Sequence, residues 1–141
     1  MSTEIKSNIT VDKVMLKLES FPVVKGDTII KDALEKMLYY KLGVVCVVDE
    51  KREFMGLITD GDIRRILLKV QKPLSALFME DIMDHISEDP ITITPATTVS
   101  EATKLIGEKK IWDLPIVSKT KKLHGLFYLH KALEYFLKEL Y

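Results

Sequence analysis

The stretch GLITDGDIRR, residues 56–65, joins an apolar run to a polar helical pattern. It predicts a β-strand that ends at Thr59 and a helix that begins near Asp62, with Gly61 at the turn between them. The free backbone N–H groups at a helix start favour an anion, and a glycine there lets a ligand approach the backbone closely. This junction is therefore the first candidate for a ligand site.

The pattern around this junction occurs twice. Residues 28–68 superpose without a gap on residues 97–137, which aligns Gly56 with Gly125 and Leu57 with Leu126. The segments VDKVM and MEDIM precede the two copies, and each is followed by a proline seven residues after its final Met. Because each copy is too small to be stable alone, we expect the two copies to share one core about a pseudo-twofold axis.

Each copy predicts the element order β-α-β-β-α. The predicted ranges are 23–25, 30–38, 44–49, 54–59 and 62–70 in copy one, and 91–94, 99–106, 114–117, 123–129 and 130–140 in copy two. Thr98 and Glu101 have capping-box spacing at the first helix of copy two, whereas Asp27 or Thr28 is expected to cap that helix in copy one. Residues 71–76 predict a break between the copies, and Trp112 is expected to pack in the core.

Composition and charge exclude several classes of protein. The 141 residues carry 21 Lys+Arg and 21 Asp+Glu, so no global field attracts polyanions, and neither nucleic acid nor an acidic membrane is an expected partner. The sequence contains neither a hydrophobic signal region nor an apolar run of the roughly 20 residues that span a bilayer, so a cytoplasmic location is expected. The single cysteine, Cys46, suits a reducing compartment and is expected to be a buried strand residue.

Residues 59–65 suit a nucleotide chemically. The Asp62 carboxylate accepts hydrogen bonds only, so it matches two adjacent ribose hydroxyls, and Thr59 beside it both donates and accepts. Arg64 and Arg65 are candidates for phosphate contacts, with Asp60 and Gly61 completing the turn. From spacing alone the alternative stays open that Asp62 only caps the helix and that the arginines are solvated surface.

The duplicated pattern resembles a tandem pair of CBS domains. The resemblance rests on VDKVM and MEDIM, on LPIV at residues 114–117 and on GLITDGD, and it covers the chain from about Val11 onward. It implies a mixed α/β (α+β) fold of two pseudo-twofold-related β-α-β-β-α repeats packed sheet against sheet. More narrowly, TDGDIRR and HGLFYLHKAL are similar to the CBS pair of arabinose 5-phosphate isomerases and of some sugar nucleotidyltransferases.

The resemblance also implies which residues hold a ligand. In the family, adenosine nucleotides often bind in clefts between the copies, and the motif's threonine and aspartate, here Thr59 and Asp62, hold ribose and phosphate. By position, the residues expected beside adenine are Val23, Val24, Val44 and Val45.

Copy two departs from this pattern, because Tyr128 and Lys131 replace the threonine and the aspartate. A cation cannot accept the hydrogen bonds of a diol. We therefore expect one complete ribose site, on copy one. The second cleft is expected to be altered or empty, with His130 and Lys131 as candidate contacts.

The sequence as a whole predicts a regulatory module that is not an enzyme. We expect a tail at residues 1–10, repeats at 11–71 and 79–141, and a linker at 72–78. The expected ligand is AMP, ADP or ATP, with no catalytic cofactor and no metal. The expected partners are a second copy of the chain, through its helices, and a regulated protein such as a sugar-phosphate enzyme. A ligand-free dimerisation module, a sensor of another nucleotide or nucleotide-sugar, and a small hydrolase using Asp60 and Asp62 remain alternatives, the hydrolase ranked last.

Overall fold

The computed structural model describes residues 9–87 and 89–140, and the side chains of residues 139 and 140 lie outside this description. The chain divides into two compact units. The repeat-1 unit is Glu19–Pro90, and the repeat-2 unit combines Met1–Leu18 with Ile91–Tyr141. Among the helices of the described residues, none is long and apolar enough to cross a membrane.

The repeat-1 unit is a three-stranded sheet with helices. Its elements are β1 (Val23–Lys25), α1 (Ile30–Tyr40), β2 (Val44–Val48), β3 (Phe54–Thr59), α2 (Asp60–Lys69) and α3 (Leu74–Phe78). Strand β2 is central, parallel to β1 and antiparallel to β3. The core joins alternate strand residues to the apolar stripe of α1; its buried members are Val24, Ile30, Ala33, Met37, Val45, Val47, Ile58 and Ile82.

The repeat-2 unit has the same order with a reduced first strand. Its elements are α4 (Val99–Lys109), β4 (Asp113–Val117), β5 (Leu123–Tyr128) and α5 (Leu129–Leu140). The predicted strand at residues 91–94 forms a single parallel bridge, in which Ile93 pairs with Ile116. Trp112, expected in the core, is instead 71% exposed, since it lies in the turn before β4.

The segment before each repeat packs on the other repeat. In the repeat-2 unit, Val11 N donates to Thr97 O at 2.8 Å, and in the repeat-1 unit Ile82 N donates to Thr28 O at 2.8 Å. These bonds match Val11 with Ile82, whereas aligning VDKVM with MEDIM matches Val14 with Ile82. The alignment is therefore three residues out of register, because Val11 and Val14 are both buried and both fit an apolar pattern.

The same segments complete the first helix of each repeat. Ile30 N donates to Glu80 O at 2.9 Å, and Val99 N donates to Ile9 O at 2.7 Å, so each helix start finds a backbone partner. The capping box at Thr98 is confirmed, with Glu101 N donating to Thr98 Oγ1. The expected Asp27 or Thr28 cap is wrong, because the N-cap of α1 is Ile29, with no side-chain cap.

The predicted break at residues 71–76 contains the start of a helix. Pro73 O accepts from Ala76 N and Leu77 N, which begins α3, and Leu77 is 3% exposed. Beyond α3, Glu80 accepts from Lys72, and Glu80 Oε1 lies 2.8 Å from His85 Nε2. These contacts tie the segment after α3 to the residue that precedes this helix.

The aligned glycines Gly56 and Gly125 lie where these segments cross the strands. A Cβ added to Gly125 would lie 2.5 Å from Met15 Sδ and 2.7 Å from Leu16 O, and one added to Gly56 would lie 3.1 Å from Ile86 Cδ1. Leu16 also exchanges two backbone hydrogen bonds with Leu126. A neighbouring backbone therefore explains the glycine at position 125, and the Ile86 side chain explains the glycine at position 56.

We expect Gly125→Ala to lower the free energy of unfolding by about 1–3 kcal/mol, because the added methyl group overpacks the Leu16 backbone. The matched control is Gly107→Ala in α4, where an added Cβ meets nothing within 4 Å. That variant should gain about 0.5–1 kcal/mol, as an alanine in a helix interior does. Urea unfolding measures both, and a Gly125→Ala variant as stable as wild type would contradict the explanation.

The Glu80 contacts predict a dependence of stability on pH. The hydrogen bonds from Lys72 and then from His85 lower the pKa of Glu80 below its usual value of 4.5. Their stabilisation is present above pH 4.5 and is lost as the pH falls through the lowered pKa. Glu80→Gln should therefore be less stable than wild type near neutral pH, and the difference should shrink in acid. If the free energies of unfolding of wild type and Glu80→Gln differ by the same amount from about pH 6 to pH 3, these contacts contribute nothing to stability.

Candidate functional site

The candidate site is the junction between β3 and α2 in the repeat-1 unit. Thr59 is the last residue of β3 and the N-cap of α2, with extended backbone angles. Asp60 N donates to Gly43 O at 2.9 Å, which ties the helix start to the residue before β2. The helix begins two residues earlier than the predicted residue 62, because Thr59, rather than Asp62, is the cap.

Thr59 and Asp62 form a capping box. Asp62 N donates to Thr59 Oγ1 at 3.2 Å, and Thr59 N donates to Asp62 Oδ2 at 2.9 Å. The Thr59 hydroxyl lies 3.2 Å from the same carboxylate oxygen and donates to it. The T-x-x-D spacing has the geometry of a T-x-x-E box, so the capping role considered from the sequence is present here.

Arg65 occupies the other oxygen of Asp62. Its Nη2 lies 2.7 Å from Asp62 Oδ1, one turn along the helix, and the two side chains are 65% and 30% exposed. The guanidinium also lies over Gly61, since a Cβ added there would be 3.2 Å from Arg65 Nη2. Both residues were expected to contact a ligand, and this ion pair was not predicted, although the Asp–Arg spacing of three on a helix could have indicated it.

The neighbouring charged residues lie apart from this pair. The Asp60 carboxylate packs against Gly43, where an added Cβ would collide with it. The side chain of Arg64 is exposed, and within the described residues it makes no ion pair. The structure therefore brings Thr59, Gly61, Asp62 and Arg65 together and leaves Asp60 and Arg64 at the edge of the group.

The four valines expected beside adenine divide into two pairs. Val44 pairs with Thr59 and Val23 with Cys46, so Val23 and Val44 lie on the sheet face that carries Thr59. Val24 and Val45 belong to the opposite face and to the buried core against α1. Val44 lies on the Thr59 face but is also fully buried, so Val23 is the one of the four valines that is partly exposed.

The aligned junction in the repeat-2 unit has the opposite charge order. Lys131 stands where Asp62 stands in repeat 1, and Glu134 stands where Arg65 stands. His130 Nε2 lies 3.4 Å from Glu134 Oε1, and the rings of Tyr128 and His130 are 6.0 Å apart. The substitution of an acceptor by a cation leaves no carboxylate at this helix start to receive a diol.

In the described part of the chain, no three His, Cys, Asp or Glu side chains are arranged to hold a metal ion.

The model of the CBS domain family matches residues 6–69 and 79–138. The chain belongs to the CBS domain family. The match is duplicated, as the sequence repeat predicted, and each match contains one of the two β-strand-to-helix junctions described above.

The relatives of the CBS pair include metabolic enzymes. The chain is 38% identical over 104 residues to inosine-5'-monophosphate dehydrogenase of Aquifex aeolicus, covering 73% of this chain and 20% of the relative. It is 28% identical over 115 residues to the arabinose 5-phosphate isomerase GutQ of Salmonella typhimurium, covering 82% of this chain and 34% of that enzyme. The chain thus spans about a fifth and about a third of the lengths of these relatives.

Among solved structures, the chain is similar to CBSX2 of Arabidopsis thaliana in complex with AMP. The TM-score is 0.81 at 26% identity, and the match covers 94% of this chain and 99% of CBSX2. The predicted mixed fold and the family resemblance are both confirmed by these comparisons.

Removal of the Asp62 carboxylate tests its structural role. We expect Asp62→Ala to lower the free energy of unfolding by about 1 kcal/mol, because the reciprocal capping bond and the favourable charge at the helix start are lost. Glu101→Ala is the matched control, since it removes the equivalent capping box of α4 in the other unit. A more stable Asp62→Ala protein would show that this carboxylate is held at the expense of stability, as functional residues often are.

Proposed function

We propose that this CBS pair is a non-catalytic regulatory module that binds an adenine nucleotide at the start of α2. The observation that carries the proposal is the grouping of Thr59, Asp62 and Arg65 around Gly61 at the start of the helix. The similarity to CBSX2, whose structure contains AMP, supports adenine as the base.

Each group has a distinct task in this proposal. Asp62 accepts hydrogen bonds from the ribose hydroxyls, and Thr59 orients the carboxylate through its backbone N–H and hydroxyl. The positive end of the helix dipole and the guanidinium of Arg65 attract the phosphate. Val23, partly exposed on the same sheet face as Thr59, supplies apolar contact for the base. Gly61 keeps the backbone accessible.

Nucleotide binding would act on a partner by stabilising one conformation of the module over another. The relatives carry CBS pairs within longer chains, and a sugar-phosphate enzyme is the partner class that the isomerase similarity favours. A homodimer through helices remains a prediction. Helix α5 supports it by exposing Leu133 at 51% and Leu137 at 53%, one turn apart.

Thermal unfolding with added ligand tests the function. At about 100 times its dissociation constant, AMP should add about 2.7 kcal/mol of stability to the wild-type protein. ADP and ATP test the number of phosphates, CMP tests the base, and arabinose 5-phosphate tests the sugar. CMP and the sugar phosphate should give no shift.

The variants separate ligand binding from capping. Asp62→Ala should lose the AMP shift, whereas Glu101→Ala should keep it despite a similar loss of intrinsic stability. The absence of any shift with all five compounds would refute the proposal and favour the ligand-free dimerisation module. Turnover of any of these phosphates would contradict the non-catalytic assignment.

A further inference from the structure

The Asp62 carboxylate has too few free acceptor sites for a ribose diol in the structure as it stands. A carboxylate offers about four lone-pair sites. Thr59 N and Thr59 Oγ1 fill two on Oδ2, and Arg65 Nη2 fills one on Oδ1 at 2.7 Å. One site remains, whereas two adjacent hydroxyls donate two hydrogen bonds. One of the present donors must therefore leave when both hydroxyls bind.

Arg65 is the donor that can leave. The capping box fixes the Thr59 backbone N–H at the end of β3 and the Thr59 hydroxyl oxygen, which accepts from Asp62 N, so both groups stay beside Asp62 Oδ2. The Arg65 side chain is 65% exposed, so water solvates its guanidinium readily once the ion pair is broken.

We propose that Arg65 is a specificity-determining residue that occupies Asp62 in the free protein and exchanges it for the ligand's phosphate. The exchange rests on the proposed nucleotide function and adds a basis for selection. A nucleoside such as adenosine breaks the Asp62–Arg65 ion pair but has no phosphate with which the guanidinium could form a new one. A nucleotide breaks the same pair and gives Arg65 a phosphate, with which a guanidinium forms strong bidentate hydrogen bonds.

Calorimetric titration of adenosine and AMP into the full chain tests the exchange with Arg65→Gln. The variant keeps a long polar side chain and removes the charge. Its adenosine affinity should rise about two- to fivefold, because an exposed ion pair no longer competes for Asp62. Its AMP affinity should fall about tenfold, because the charge-assisted phosphate contact is lost. The preference for AMP over adenosine should therefore fall by about twentyfold or more.

The matched control is Lys31→Gln, which breaks another exposed helical ion pair of the repeat-1 unit, between Lys31 and Glu35 at 3.0 Å. It should leave both affinities unchanged. A similar melting temperature of the two unliganded variants establishes that both are folded.

Three results would overturn the exchange. If Arg65→Gln lowers adenosine and AMP affinity by the same factor, Arg65 only supports the loop. If it changes neither affinity, Arg65 plays no part in the selection. In both cases the wild-type protein still binds AMP and the proposed function stands. If wild type binds neither compound, the proposed function fails and the exchange fails with it.

Discussion

The backbone hydrogen bonds from the connecting segments to the first helix of each repeat organise the rest of the structure. Ile30 N and Val99 N begin their helices and need acceptors, which Glu80 O and Ile9 O supply. A segment fixed at this point continues across the sheet, where it passes over the glycine of the second hairpin strand. The pairing therefore sets the helix starts, the approach to Gly56 and Gly125, and the closure of each core.

The junction after the second hairpin strand combines stability and chemistry in one carboxylate. Asp62 holds the helix start through Thr59 and also pairs with Arg65. These roles are compatible because they use different oxygens. The capping oxygen keeps the backbone N–H groups in place, while the second oxygen faces a solvated cation. In the other repeat, Lys131 stands at the aligned position, and its ammonium group can neither accept a capping hydrogen bond nor pair with a cation.

Much of this fold could be predicted because the two copies show the same apolar pattern at equivalent positions, so each copy supports the elements predicted for the other. The element order and the Thr98 box follow from local pattern, and both are present. Local pattern cannot show which copy a segment packs against, since apolar spacing identifies a buried face and not its partner. Hence the sequence could not predict that the segment before each repeat packs on the other repeat. It also could not predict the register of Val11 or the exposure of Trp112.

The candidate site, too, could be predicted only where local sequence pattern determines it. The residue types at Thr59 and Asp62 indicated either a cap or a ligand site, and the structure shows that the cap exists. The division of the valines follows from strand register, which places Val44 opposite Thr59 and Val45 opposite Ile58. Register depends on hydrogen-bond pairing, and a short run of five buried residues does not reveal it.

Because the segment before each repeat packs on the other repeat, the two units complete their folding at different times during synthesis on the ribosome. The repeat-1 unit takes its contacts from one continuous stretch, so it closes soon after Ile86 has emerged. The apolar residues around Val11 emerge much earlier, yet their acceptor at Thr97 is translated late. Closing that long loop carries an entropy cost and slows folding. For most of synthesis, the apolar segment around Val11 cannot pack on the repeat-2 unit, so it stays accessible to chaperones and proteases.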